Sequence, residues 1–258
     1  MIFLNSFLIF ILGACLGSFS NVCIYRLPKN KQIVSGRSFC PRCKKKINWF
    51  DNLPLISFLS LNGKCRKCKK VIPLRYFIVE IVTGIIFLLI YLNYNDLSII
   101  IFLSVLSLLF IIIFFIDLEN FIIPDSLNFS VMAIALLKNF LPNFNTSFIH
   151  EINQSIIGGM VGYLSIWLII YLYKMIKKTE GMGLGDAKLM AGIGLLFGWQ
   201  SVPFVLFISA LLGLIFVLPS LINKQKNMRS EIPFGPFIIA ACLIYFTYGD
   251  FLYSLILV

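Results

Sequence analysis

Ile99-Ile100-Ile101-Phe102-Leu103-Ser104-Val105-Leu106-Ser107-Leu108-Leu109-Phe110-Ile111-Ile112-Ile113-Phe114-Phe115-Ile116 runs without a charge and stops at Asp117. About 18 or more such residues make a helix long enough to cross the hydrocarbon of a bilayer. The chain then turns polar through Asp117-Leu118-Glu119-Asn120-Phe121-Ile122-Ile123-Pro124-Asp125. A second acid, Asp186, closes Gly183-Leu184-Gly185-Asp186 between two further apolar stretches. A carboxylate beside hydrocarbon is costly unless it is paired or functional. Two carboxylates that meet in space can share one proton, because both cannot easily ionise together. Such a pair can activate water for peptide hydrolysis.

The chain has 258 residues, is 59% hydrophobic and has a mean hydropathy of +0.94. Soluble domains are usually about half apolar or less. The composition therefore predicts an all-α polytopic membrane protein of about eight transmembrane helices, with a small cytoplasmic zinc-binding loop domain. The spans are read as Ile2 to Tyr25, Tyr76 to Asn93, Leu97 to Ile116, Ser126 to Phe140 and Ile152 to Tyr173. Two more lie within Asp186 to Leu221 around a turn at Gly198 to Pro203, and the last is Pro236 to Leu255. Ala187 to Trp199 is short, so a half-inserted segment there is the alternative.

The formal charge is +11, but it is not spread evenly. Of the 22 basic residues, 14 lie between Arg26 and Arg75, four between Lys174 and Lys188, and three between Lys224 and Arg229. The positive-inside rule places those three loops in the cytoplasm, with both termini outside. Topology accounts for the charge, so no nucleic-acid partner is expected. The basic loops suit anionic lipid headgroups. The first apolar run has no basic segment before it and no small-residue cleavage site before Arg26, so it reads as an uncleaved helix. Three segments follow: 1–25, the first transmembrane helix; 26–75, the cytoplasmic loop; and 76–258, the transmembrane peptidase domain.

Cys40-Pro41-Arg42-Cys43 and Cys65-Arg66-Lys67-Cys68 are two Cys-x-x-Cys pairs separated by 21 residues. Cys40, Cys43, Cys65 and Cys68 fit tetrahedral zinc. A cytoplasmic loop disfavours disulfides, and neighbouring lysines help keep the thiols ionised. Four protein ligands leave no open position, so the metal is expected to be structural and to fold a loop too small for its own core. Cys15, Cys23 and Cys242 lie in spans and read as packing residues.

Other acids compete with Asp117 and Asp186. Asp125 follows Pro124 and is expected to cap a helix N-terminus, Glu119 to be solvated in a loop, and Lys188 either to lower a carboxylate pKa or to snorkel to headgroups, without being catalytic. Gly183 and Gly185 remove side chains beside Asp186, so a substrate backbone could come close. His150 is the only histidine and falls outside by this topology, which leaves a serine or cysteine protease without its base. No glycine-rich loop follows a strand, which excludes a Rossmann-type methyltransferase.

Gly17-Ser18-Phe19-Ser20-Asn21-Val22-Cys23-Ile24-Tyr25-Arg26-Leu27-Pro28 resembles the opening signature of the type IV prepilin peptidases, which are membrane aspartyl proteases. The likeness continues through the paired Cys-x-x-Cys loop and the Asp117 to Asp125 run. It extends through Gly181-Met182-Gly183-Leu184-Gly185-Asp186-Ala187-Lys188-Leu189 to Ile232-Pro233-Phe234-Gly235-Pro236-Phe237. The blocks come in the family's order and cover nearly the whole chain. The resemblance implies a bifunctional enzyme of the bacterial inner membrane. Such an enzyme cuts the short basic leader from type IV prepilins or pseudopilins, after a glycine, on the cytoplasmic side. It then methylates the new amino group with S-adenosylmethionine. The resemblance makes Asp117 and Asp186 the catalytic pair. It places the methyltransferase in the cytoplasmic loop and its junction with the second helix, with Gly63, Lys64 and Glu80 as candidate cofactor-binding residues. Alternatives are a peptidase without methyl transfer and, from another class, a cation-coupled transporter. A transporter would place its acids mid-helix, whereas Asp117 and Asp186 lie at helix ends.

Overall fold

A computed structural model describes residues 2–33, 38–140, 152–178, 182–222 and 232–256. His150 and the basic cluster from Lys224 to Arg229 lie outside the described residues. The described helices are α1 (Ile2–Arg26), α2 (Ile56–Ser60), α3 (Arg75–Asn93), α4 (Leu97–Asn120) and α5 (Asp125–Leu137). They continue as α6 (Ile152–Lys177), α7 (Leu184–Phe197), α8 (Ser201–Ile222) and α9 (Gly235–Ile256). Among the described residues the only β pairing is two isolated bridges, Phe39 with Lys46 and Lys64 with Val71.

Every span expected from hydropathy is a helix in the structure. Among the described residues, five helices are long and apolar enough to cross a membrane, α1, α3, α4, α6 and α8, and Gly235–Gly249 of α9 is a shorter apolar stretch. The 13 residues of α5 and 14 of α7 reach only about 20 Å at ~1.5 Å per residue. That is less than the ~30 Å of a hydrocarbon core, so eight full crossings are not established. The turn expected near Gly198 is there: Gly198, with φ +78, caps α7 before α8 starts at Ser201.

The chain forms two compact units, Met1–Ile112 and Ile113–Val258. In the first, α1 packs along α3. Gly13 and Gly17 let the backbones close up, since a methyl at Gly13 would lie 2.9 Å from the Gly84 Cα and one at Gly17 would lie 2.9 Å from the Glu80 Cα. Lipid tails give no hydrophobic drive for helix pairing, so small residues that allow close van der Waals contact take that role. Asn21 pins the same seam by donating to Tyr76 O at 3.0 Å.

In the second unit, α7 is the central helix. Its buried residues run from Asp186 to Phe197 with few gaps, and it packs on α5 and α6. Gly158, Gly159 and Gly162 of α6 face Gly194, Leu195 and Met190 of α7 at distances that leave no room for a side chain. A methyl at Gly192 would lie 2.8 Å from Val131 Cγ1 of α5. Lys138, 1% exposed, donates to Leu196 O and so satisfies a carbonyl at the C-terminal end of α7. Ring contacts join α9 to α7 through Phe197 and Tyr245, and α9 to α8 through Phe216 and Phe237.

Candidate functional site

Asp117 sits in the last turn of α4. The helix ends at Phe121, whose φ of +57 is left-handed and whose N–H bonds back to Asp117 O at 2.9 Å. That ending turns the chain into the Ile122–Pro124 link and leaves the Asp117 side chain buried, 4% exposed. Asp186 lies in the first turn of α7, where the positive end of the helix dipole favours a carboxylate, and it is 8% exposed.

Ile123 joins the two sites. A methyl at Gly185, next to Asp186, would lie 3.1 Å from Ile123 Cβ. A methyl at Gly235 would lie 3.1 Å from Ile123 Cδ1 and 2.9 Å from Asp117 Oδ2. The Gly235 N–H itself donates to Asp117 Oδ2 at 2.9 Å. One isoleucine thus spans from the glycine beside Asp186 to the glycine that binds Asp117. The two carboxyl groups act on each other electrostatically. A proton held between them relieves the repulsion of two like charges.

Sequence reading missed Asn128. It is fully buried in α5, and its Nδ2 donates to Gly185 O at 3.1 Å, one residue before Asp186. The signal was available as a lone amide within an apolar helix. Gly235 stands in the Ile232 to Phe237 block of the resemblance, where the sequence leaves a turn that shapes a substrate groove and a plain helix-entry turn equally open. The role expected for Gly185 is corrected: the space its missing side chain leaves is filled by Ile123, whereas Gly183 has only Asp186 Oδ2 and Gly185 N within 4 Å, both at 3.8 Å.

The competing acids separate from the pair. Asp125 does not cap α5; Pro124 holds the N-cap position with no side-chain cap bond. Asp125 is instead the first helical residue and pairs with Lys188 Nζ at 2.6 Å. Glu119 is exposed, but in the last turn of α4 rather than in a loop.

The four cysteines of the first unit converge. Their Sγ atoms all lie within 4.8 Å of one another, and Cys40 Sγ is 3.9 Å from Cys68 Sγ. Metal–sulfur bonds of ~2.3 Å in a tetrahedron put sulfurs about 3.8 Å apart, so the cluster fits a four-thiolate metal. Two matching backbone knuckles build it. Cys40 N donates to Lys45 O and Cys65 N to Lys70 O, at 3.0 and 2.9 Å; Lys44 N returns to Cys40 O and Lys69 N to Cys65 O, at 2.8 and 2.9 Å. Lys44 and Lys69 share a left-handed φ of 56° and 58°. The backbone N–H groups of Cys68 and Lys67 pull the Cys65 thiol down to about 7, so one ligand is partly ionised near neutrality. Arg66 clamps Asp51 with bonds of 2.7 to 3.0 Å, tying the second knuckle to the Trp49–Asn52 turn.

Beneath the knuckles lies a cavity of about 270 Å³, lined by residues that include Ser18, Asn21, Cys40, Cys65, Tyr76 and Glu80. Glu80 is buried and accepts from Leu55 N at 2.8 Å. Leu55 holds φ +61, ψ −51, and Ile56 N bonds back to Pro54 O at 2.6 Å. This is a tight γ-turn of the strained kind, and it aims the Leu55 N–H at Glu80. Of the three candidate cofactor residues only Glu80 lines the cavity. Gly63 makes a left-handed turn over the Phe58 ring, and Lys64 is an exposed residue of a β bridge.

Comparison with known proteins gives two family matches. Residues 11–94 match the bacterial peptidase A24 N-terminal domain, and residues 103–218 match the type IV leader peptidase family. Among curated relatives, a protein of Dichelobacter nodosus is 34% identical, covering 95% of this chain and 92% of its own length. One of Vibrio cholerae is 35% identical, with 92% and 94% covered, and one of Aeromonas salmonicida is 31% identical, with 94% and 90% covered. All three are named prepilin leader peptidase/N-methyltransferase. No solved structure matches the chain. The transporter alternative is not favoured.

Proposed function

Because the chain belongs to the type IV leader peptidase family, we propose that Asp117 and Asp186 are the acids with which it cuts. The protein is an enzyme that removes the leader from prepilins and methylates the new N-terminus. The observation that carries the assignment is two buried aspartates at helix ends, bridged by Ile123 and shielded from most solvent.

One carboxylate, ionised, takes a proton from the attacking water. Its partner, protonated, donates to the scissile carbonyl as negative charge develops on that oxygen. The proton then passes to the leaving amine. The pair titrates as a unit, and the two roles can exchange between its members. The Gly235 N–H steadies Asp117 in its ionised form, and the N-terminus of α7 does the same for Asp186.

Within this reading, 1–25 is the first transmembrane helix, 26–75 the cytoplasmic loop stapled by zinc on Cys40, Cys43, Cys65 and Cys68, and 76–258 the transmembrane peptidase domain. Zinc there holds the fold of the loop. S-adenosylmethionine supplies an electrophilic methyl group. Glu80, with Gly63 and Lys64 shaping the adjoining turn, serves that transfer. The enzyme lies in the bacterial inner membrane with the aspartates facing the cytoplasm, and its substrates are type IV prepilins or pseudopilins.

The test is one mass-spectrometric assay of detergent-solubilised protein with a type IV prepilin and labelled S-adenosylmethionine. Wild type should remove the leader and add one methyl group. Asp117→Asn and Asp186→Asn should each abolish cleavage, and cleavage that survives in either would reject the pair. Cleavage without the methyl would leave a peptidase alone.

A further inference from the structure

The seam between α1 and α3 opens at its polar end into the 270 Å³ cavity, which Asn21 and Glu80 both line. Asn21 is 1% exposed; its Nδ2 is used on Tyr76 O, while its Oδ1 is buried without a partner. A buried acceptor left unpaired in the free protein is costly and calls for a donor. Glu80 stands one helical turn from Tyr76 on α3 and lines the same cavity, as Ser18 does. Gly17, one turn from Asn21 on α1, packs against the Glu80 Cα, so Asn21 and Glu80 lie along one short stretch of seam. The other carboxylate lining the cavity, Asp51, is occupied by Arg66. Glu80 is therefore the acid left to meet a cation.

An acceptor-only pair carrying one negative charge suits a primary ammonium, which offers three donors and one positive charge. We propose that Asn21 and Glu80 hold the α-amino group that receives the methyl. The proposal rests on the methyl-transfer reading above and adds the acceptor end of that site. The ammonium gives one proton to the Glu80 carboxylate. The freed nitrogen lone pair then attacks the methyl carbon of the sulfonium donor. The carbon–sulfur bond breaks, its electron pair stays on sulfur as a thioether, and the nitrogen becomes a secondary ammonium. Glu80 returns its proton to water.

The experiment measures binding first, without any methyl donor. Wild type, Glu80→Gln and Asn21→Leu are titrated calorimetrically with a mature pilin N-terminal peptide, either with a free amine or N-acetylated. Wild type should prefer the free amine by about tenfold or more, as charge-assisted hydrogen bonds allow. Each variant should lose most of that preference. With donor added, Glu80→Gln should slow methyl transfer by about 10²-fold, the low end for loss of a general base. Leader cleavage and zinc content report that each variant is folded and should stay near wild type. No preference in wild type, or a preference intact in both variants, overturns the proposal. Loss of labelled donor binding in the variants, with the peptide preference kept, would assign the cradle to the donor's own ammonium and also overturn it. A wild type that prefers the free amine yet transfers no methyl would overturn the methyl-transfer reading and leave amine recognition standing.

Discussion

The N–H of Gly235, the first residue of α9, donates to Asp117 Oδ2 of α4 at 2.9 Å across 118 positions of sequence. Any side chain at 235 would strike that carboxylate. Gly235→Ala puts a methyl 2.9 Å from Asp117 Oδ2 and 3.1 Å from Ile123 Cδ1. The carboxylate has to move, and misplacement of a reacting group by about 1 Å can cost ~10²-fold in rate. Leader release by Gly235→Ala, followed by mass spectrometry, should fall by that order. Methyl transfer to a pre-cleaved peptide should persist.

Asn128 holds the Gly185 carbonyl from inside α5. Asn128→Ala removes that bond, at a cost of about 1 kcal/mol in stability. It also frees the turn that aims Asp186, so cleavage should slow by roughly tenfold. Thermal unfolding in detergent and the cleavage rate should change together. An unchanged rate in a destabilised protein would limit Asn128 to packing.

Asp125 and Lys188 form a pair of 2.6 Å in which Asp125 is largely exposed, its side chain at 60%. Exposed ion pairs contribute ~0–1 kcal/mol. Asp125→Asn, Lys188→Met and Glu119→Gln should therefore each retain leader cleavage within about threefold of wild type, in contrast to Asp117→Asn. A collapse of activity in Asp125→Asn would make it a rival to Asp117.

Metal removal should act on the loop unit. A strong zinc chelator, or Cys43→Ser, should loosen 38–72 to proteolysis and end methyl transfer, because a loop of this size draws its folding energy from the metal. Backbone donors pull the Cys65 thiol down to about 7, while the Cys68 thiol hydrogen-bonded to it is pushed up to about 11. The Cys65 thiolate is thus present above its lowered value and lost as pH falls through it. Zinc affinity, read by competition with a chromophoric chelator at pH 6, 7 and 8, should weaken downward, with a steeper slope below 7.

Helix positions were legible because their signal is local. Hydrocarbon length sets how many contiguous apolar residues a spanning helix needs, and runs such as 99–116 meet that requirement by themselves. The four cysteines were legible for a related reason: a tetrahedral thiolate site imposes fixed short spacings on two turns, and the two knuckles repeat one pattern of backbone bonds. The number of crossings was not legible, since α5 and α7 are apolar but too short, and apolarity alone does not separate a span from a buried helix.

By itself, then, the sequence determined a helical membrane chain, a loop with four cysteines at metal-binding spacing, and acids at the ends of apolar runs. Tertiary structure decided what those acids touch. Ile123 between Gly185 and Gly235, Asn128 on the Gly185 carbonyl, and Asn21 on the Tyr76 carbonyl are contacts between elements far apart in the chain. Helix periodicity and hydropathy constrain neighbours three or four residues apart. Which glycine admits which side chain from another helix depends on packing, which exists only once the helices have met.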